Sequence, residues 1–121
     1  MNRVLCVLLL LLCAGTGAFA RDALEQGKID YLIQSVEQLQ DATFVRNGSD
    51  YNAQQAAEHM RTKLRFAGSR VVTVEDFIVC CGTGSSVTGT PYTIKFADGR
   101  ILPSADFLHE KLAEYGEDGA R

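Results

Sequence analysis

The stretch Thr43-Phe44-Val45-Arg46-Asn47-Gly48-Ser49-Asp50-Tyr51-Asn52-Ala53-Gln54-Gln55 carries two local signals in succession. Asn47-Gly48 stands between two short β-favouring pieces. A two-residue type I′ turn needs both central residues at positive φ, which Asn and Gly accept, so the stretch predicts a β-hairpin. Asn52 followed three positions on by Gln55 has the form of a capping box and predicts a helix from residue 53. A hairpin running directly into a helix points to an α+β fold, and the flanking sequence repeats the theme.

Upstream, Ile29, Leu32, Ile33, Val36 and Leu39 recur at helical spacing behind Asp22 as N-cap, which predicts a helix over 22–40 weakened at Gly27. Downstream, Ala53, Ala56, Ala57, Met60, Leu64 and Ala67 form one apolar face ending at Gly68, a helix over 53–67. Thr73 with Asp76 starts a third helix, whose face of Val74, Phe77, Ile78 and Cys81 stops at Gly82. Residues 82–90 form a glycine- and hydroxyl-rich loop. Tyr92 to Phe96 alternates apolar and polar, and Asp98-Gly99 turns it into Arg100-Ile101-Leu102, a second hairpin signal. Ser104 is the expected cap of a last helix with the stripe Ala105, Leu108, Leu112 and Tyr115, before a frayed tail over 116–121. The fold class is therefore α+β: about four helices with one or two short antiparallel β-hairpins, in a single domain with its core over 22–115. A strictly alternating parallel sheet would need more strand–helix units.

The 121 residues are 46% hydrophobic and 22% charged with two prolines, which excludes collagen and wholesale disorder. A net charge of −3 excludes a dedicated nucleic-acid binder. The apolar excess is concentrated at the start. Arg3 gives a positive n-region, Val4 to Cys13 is unbroken apolar, and Ala18-Phe19-Ala20 has the small-x-small form of a signal-peptidase site. The expectation is a cleaved signal peptide over 1–20, with cleavage after Ala20, and a periplasmic or secreted domain over 21–121. Even extended to Phe19 the apolar run is 16 residues, short of the roughly 20 that span a bilayer. Leu12 before Cys13 does not suit lipoprotein processing. Cleavage removes Cys6 and Cys13, leaving Cys80 and Cys81, too few for a disulfide scaffold.

The adjacent pair Cys80-Cys81 is the most reactive chemistry in the mature chain. Cα atoms about 3.8 Å apart lie below the range of unstrained disulfides, so a bridge between them suits a redox switch. The plainer reading makes Cys81 a core residue and Cys80 its small neighbour. No C-x-x-C occurs and neither His59 nor His109 has zinc-site spacing, so no metal or cofactor is expected. His59, on the flank of the second helix, could serve a nearby thiol as base or sit in solvent. The 82–90 loop is either a connector or an anion cradle, although Gly82-Thr83-Gly84 lacks the Gly-Lys-Ser/Thr of a P-loop. Arg61, Lys63, Arg65 and Arg70 give the second helix a basic face, read as solvated or open to an acidic partner. Asn47-Gly48-Ser49 also matches a glycosylation sequon.

Phe44 to Tyr51, then Ala56-Ala57-Glu58-His59-Met60-Arg61, Thr73-Val-Glu-Asp-Phe77, and Gly89-Thr-Pro-Tyr92 with Phe96-Ala-Asp-Gly99, resemble the YfeK-like family of small exported bacterial proteins, a domain of unknown function. The resemblance covers nearly all of 29–112. It implies periplasmic export and a shared fold, and no reaction. Ser85, Ser86, Gly89, Pro91 and Tyr92 match the family pattern Ser-Ser-x-x-Gly-x-Pro-Tyr, and His59 falls on its matching helix position. Cys80-Cys81-Gly82-Thr83 departs from it.

The leading expectation is a non-enzymatic periplasmic module that binds a protein, peptide or envelope component. Its surface would combine Arg46, Asn47, Tyr51, His59, Ser85, Ser86, Gly89, Pro91 and Tyr92, because Arg offers a fixed fork of donors and Tyr a rigid amphipathic face. The alternative is a small thiol-dependent enzyme or redox-responsive protein using Cys80 or Cys81 with His59. A Cys80-linked dimer is a third possibility beside a monomer.

Overall fold

The computed structural model describes residues 20–85 and 87–119, with side chains as far as residue 116. The expected signal peptide up to residue 19, and Ser86, lie outside the described residues. The order of elements is α1 (Ala23–Glu37), β1 (Thr43–Arg46), β2 (Ser49–Tyr51), α2 (Ala53–Ala67), a 3₁₀ turn (Gly68–Arg70), α3 (Val74–Phe77) continuing into a π-helical stretch (Ile78–Gly82), β3 (Thr93–Lys95), β4 (Ile101–Pro103) and α4 (Ser104–Gly119). The fold is α+β, with four helices and a four-stranded antiparallel sheet among the described residues.

Local chemistry sets most element boundaries. Asp22 accepts from the backbone N–H groups of Leu24 (2.8 Å) and Glu25 (3.4 Å) and so starts α1. That helix ends at Glu37, short of residue 40, because Leu39 N–H closes a tighter turn on Val36 O (3.2 Å) and Asp41 takes a positive φ of 53°. Reciprocal capping boxes start α2 (Asn52 with Gln55) and α3 (Thr73 with Asp76). Asn47 (φ 52°) and Gly48 (φ 78°) adopt the left-handed conformations that the first hairpin requires.

The two hairpins are not separate. β1 pairs with β3, giving the strand order β2-β1-β3-β4. One row of the sheet, Tyr51, Phe44, Ile94 and Leu102, lies in register across all four strands. Its two central members are buried in a core shared with Ile29, Leu32, Val36, Met60, Phe77, Ile78 and Leu108. Tyr31 of α1 and Tyr115 of α4 bring their rings to 4.9 Å, so the first and last helices pack together. Arg21, just ahead of α1, donates to Val71 O (2.7 Å) and Gly68 O (3.3 Å) and also to Gln26, fastening the start of the domain to the α2–α3 connection.

The third helix differs from a simple α-helix. After one α-helical turn it widens to π geometry over Ile78–Gly82, and Thr83 Oγ1 donates to Ile78 O (2.7 Å). The wide turn buries Ile78, Cys81 and Gly82 together, with Gly82 held so close to α4 that a Cβ there would stand 2.4 Å from Leu108 Cδ1. Ser104 does not cap α4 from outside as its sequence position implies. It is the first residue of the helix, its N–H donates to Tyr92 O (2.9 Å), and its side chain is buried. Among the described residues no helix is long and apolar enough to cross a membrane.

Candidate functional site

Ala56, His59, Met60 and Lys63 lie on one face of α2, because positions three and four apart are neighbours on a helix. This face meets the sheet beside the first hairpin, and between them is a cavity of about 30 Å³. Phe44, Ala56, Met60 and Cys81 supply apolar wall. Arg46, Tyr51, His59, Lys63, Tyr92 and Ser104 bring polar groups to it. Among the described residues no carboxylate lines it.

Arg46 reaches the cavity from the end of β1, next to the turn. Its Nη1 lies 3.3 Å from His59 Nδ1 and its guanidinium carbon 5.9 Å from the centre of the Tyr92 ring. Its Nε is buried and has no hydrogen-bond partner among the described residues. A guanidinium has no acceptor, so His59 Nδ1 must accept, and the imidazole is neutral with its proton on Nε2. Burial, reinforced by the positive charges of Arg46 and Lys63, holds the His59 pKa below its ordinary 6.5 and favours the same form. The Tyr51 ring meets the imidazole edge to face at 4.9 Å. Opposite, Lys63 Nζ donates to Tyr92 Oη (2.8 Å) and Gly84 O (2.9 Å), joining α2 to the 83–92 loop. Neither Arg46 nor Lys63 pairs with a carboxylate among the described residues. Ser104 is 1% exposed, lines the same cavity, and its Oγ has no partner either.

Four of the residues expected to form a surface, Arg46, Tyr51, His59 and Tyr92, thus share one cavity. Asn47 and Ser85 meet beside it, where Asn47 Nδ2 donates to Ser85 Oγ (3.3 Å) and Thr88 Oγ1 donates to Asn47 Oδ1 (2.9 Å). The loop consumes its own amides. Ser85 N–H goes to Thr90 O, Gly89 N–H to Ser85 O, and the N–H groups of Val87 and Thr88 to Ser85 Oγ. Gly84 bridges to Pro91, closing the loop at its neck. Among the described residues, the amides of Ser85, Val87, Thr88, Gly89 and Thr90 are thus taken up within the loop, which leaves fewer of them for an anion than its glycines suggest.

Cys80 and Cys81 are both free. Cys81 is 1% exposed and forms part of the cavity wall, while Cys80 is half-buried. Burial, and then the adjacent Cys80 thiol, push the Cys81 pKa from 9.0 up to about 12. A reactive cysteine needs the opposite shift, since the thiolate is the nucleophile.

The basic stretch of α2 is not one solvated face. Arg61 pairs with Glu37 (2.7 Å) and Glu58 (3.4 Å), Arg65 donates to Thr62 Oγ1, and Arg70 donates to the carbonyls of Ala67 and Phe66 at the helix end. Lys63 alone of the four turns into the cavity. His109, on α4, is exposed and bonds Glu75 at 2.9 Å, far from this chemistry in role. Lys63 and Ser104 were absent from the residues expected to form the site. The spacing of Lys63 from His59, one helical turn along the face of Ala56 and Met60, carried its signal; nothing local in sequence marks Ser104.

Residues 23–116 match the model of a family of unknown function, DUF5329. The chain is also similar to the uncharacterized protein YfeK of Salmonella typhimurium (strain LT2), with 35% identity over 92 residues, 76% of this chain and 77% of the relative. No solved structure matches the chain. The matched segment takes in α1 to α3, most of α4, the whole described sheet and every described residue of the cavity, and the chain belongs to the DUF5329 family of unknown function.

Proposed function

We propose that this chain is exported and acts as a non-enzymatic binding module for a protein, peptide or envelope component, received at the cavity between the first hairpin and α2. One observation carries the reading: a cavity lined by Arg46 and Lys63 in which, among the described residues, the Arg46 Nε is buried without a partner and no carboxylate balances either cation. Leaving such a donor unsatisfied is costly, and ligand sites are where that cost is kept. Export is supported by Arg3, the apolar run and Ala18-Phe19-Ala20. Binding in preference to thiol catalysis is supported by the upward shift of Cys81, which keeps the nearest thiol protonated.

The test has two arms. Fractionation of cells expressing the full chain, with mass determination, should find a species beginning at Arg21 outside the cytoplasm; an uncleaved cytoplasmic chain removes the export claim. A photo-crosslinking residue at exposed Thr90, in the loop just ahead of cavity-lining Tyr92, should give a discrete adduct in cells that disappears with Arg46→Ala. A folded Arg46→Ala protein giving the same adduct would leave Arg46 a fastener of the hairpin and sink the binding claim.

A further inference from the structure

The cavity singles out a ligand chemistry more narrowly than the charge of its walls. Arg46 Nη1 is directed at His59, so the edge still free to recognise a ligand is that of the buried Nε. Presented side-on, the Nε edge of a guanidinium offers two parallel N–H donors, spaced for the two oxygens of a carboxylate. The Ser104 hydroxyl is a second buried group without a partner, reaching the same space from the start of α4. Two cavity-lining residues on independent elements, Arg46 of β1 and Ser104 of α4, therefore each carry a buried polar atom without a partner, and no carboxylate lines the cavity among the described residues.

Size decides between anions. About 30 Å³ is room for about two water-sized groups. That matches the two oxygens of a planar carboxylate more closely than the four of a tetrahedral phosphate or sulfate. Phe44, Ala56 and Met60 supply an apolar wall against which the carbon carrying the carboxylate can rest. Lys63, committed to Tyr92 Oη and Gly84 O, adds positive charge without supplying the direct contact.

We propose that the Arg46–Ser104 cavity is a carboxylate-recognition site, with Arg46 as the bidentate anchor and the Ser104 hydroxyl as a second donor, taking the free C-terminus or a short acidic side chain of a peptide. The proposal rests on the binding-module reading and narrows it to one ligand class. Lys63 and His59 are positioning residues: Lys63 holds the loop over the site through Tyr92, and neutral His59 accepts from Nη1 so that the Nε edge faces the cavity.

The test uses protein purified from cells expressing the full chain, titrated with acetyl-Ala-Ala-Ala bearing a free carboxylate, its C-terminal amide, an acetyl-Ala-Asp-Ala amide, and inorganic phosphate, with the Arg46 Nε–H resonance followed by NMR. The free-carboxylate peptide or the Asp peptide should shift that resonance saturably, whichever responds identifying the source, and the Ala-Ala-Ala amide should not. Ser104→Ala and Arg46→Lys should each weaken the binding about tenfold, the scale of one charge-assisted hydrogen bond; Ser104→Ala removes only an unpartnered group, so it is the variant to rely on if Arg46→Lys misfolds. Equal response to acid and amide, preference for phosphate, or no response to either carboxylate overturns the proposal. If the carboxylates fail while the Thr90 adduct in cells still depends on Arg46, the binding-module reading survives and the ligand class alone is wrong.

Discussion

Arg46 Nη1 and His59 Nδ1 face one another at 3.3 Å, a cation directed at a histidine that must stay neutral to receive it. The pairing ties the end of β1 to α2, beside the turn on one side and the cavity on the other. It also makes the site sensitive to protons.

Protonating His59 would set a third positive charge beside Arg46 and Lys63 and remove the acceptor for Nη1. Because the folded pKa is depressed below 6.5, the unfolded chain takes up the proton first as pH falls. The contribution of His59 to stability is complete above about pH 6.5 and is lost as pH falls through the lower folded value. Thermal melts from pH 7.5 to 5 should show wild type losing more stability than His59→Gln. The difference between the two separates His59 from carboxylates such as Glu25 and Asp76, whose pKa values are lowered by Lys28 and by backbone N–H groups of the α3 cap respectively. Parallel profiles would remove the neutral-imidazole account.

Cys81 gives the opposite slope at the alkaline end. With a folded pKa of about 12 against 9.0 when exposed, its protonated thiol supports the fold fully below about pH 9, and that support is lost as pH rises toward 12. Cys81→Ala should flatten the decline over that window. In native protein at pH 8, iodoacetamide should modify Cys80 well before Cys81, and unfolding should equalise them. Rapid labelling of Cys81 in the native state would contradict its placement in the cavity wall.

Gly82→Ala should destabilise the domain by about 1–3 kcal/mol, the usual range for overpacking, because the added methyl meets Leu108 Cδ1 in the core. Urea denaturation is the measurement. Combining it with Leu108→Ala should give less than the sum of the two single effects, since the second change removes the atom with which the first collides. Strict additivity would mean the two sites do not touch.

Ser104→Ala should leave the unliganded protein as stable as wild type or more stable by about 1 kcal/mol, because it deletes a buried hydroxyl that bonds to nothing among the described residues. Differential scanning calorimetry without ligand checks this. A loss of several degrees would mean that the hydroxyl has a structural partner after all.

How much of this was legible in sequence follows from the range of each interaction. Asp22, Asn52 with Gln55, and Thr73 with Asp76 cap helices through contacts within four residues, and Asn47-Gly48 turns a hairpin by its own backbone preferences; all are readable locally. The pairing of 43–45 with 93–95, which makes one sheet of two hairpins, is set by Phe44 and Ile94 meeting across half the chain, and no local pattern encodes it. The π widening over Ile78–Gly82 answers to the closeness of Leu108 on a different helix. The same distinction holds at the site. Arg46, Tyr51, His59 and Tyr92 stand out by their chemistry and do share a cavity, whereas Ser104 has the sequence position of a cap, and its buried place beside the cavity goes with a backbone bond to Tyr92 O that no local pattern announces.

The packing of α1 against α4, seen in the Tyr31–Tyr115 contact, together with the β1–β3 pairing, orders events in time as well as space. A chain that emerges from its N-terminus can pack α1 against α2 and α3 early, but β1 lacks its neighbour β3, and α1 its neighbour α4, until the last part of the chain follows. Completion of the sheet and of the α1–α4 seam therefore waits for the end of the chain, since non-local contacts reward the chain only when both partners are present. A version truncated ahead of Ser104 leaves Ile29 and Leu32 without the cover of Leu108 and should be more protease-sensitive than the whole domain.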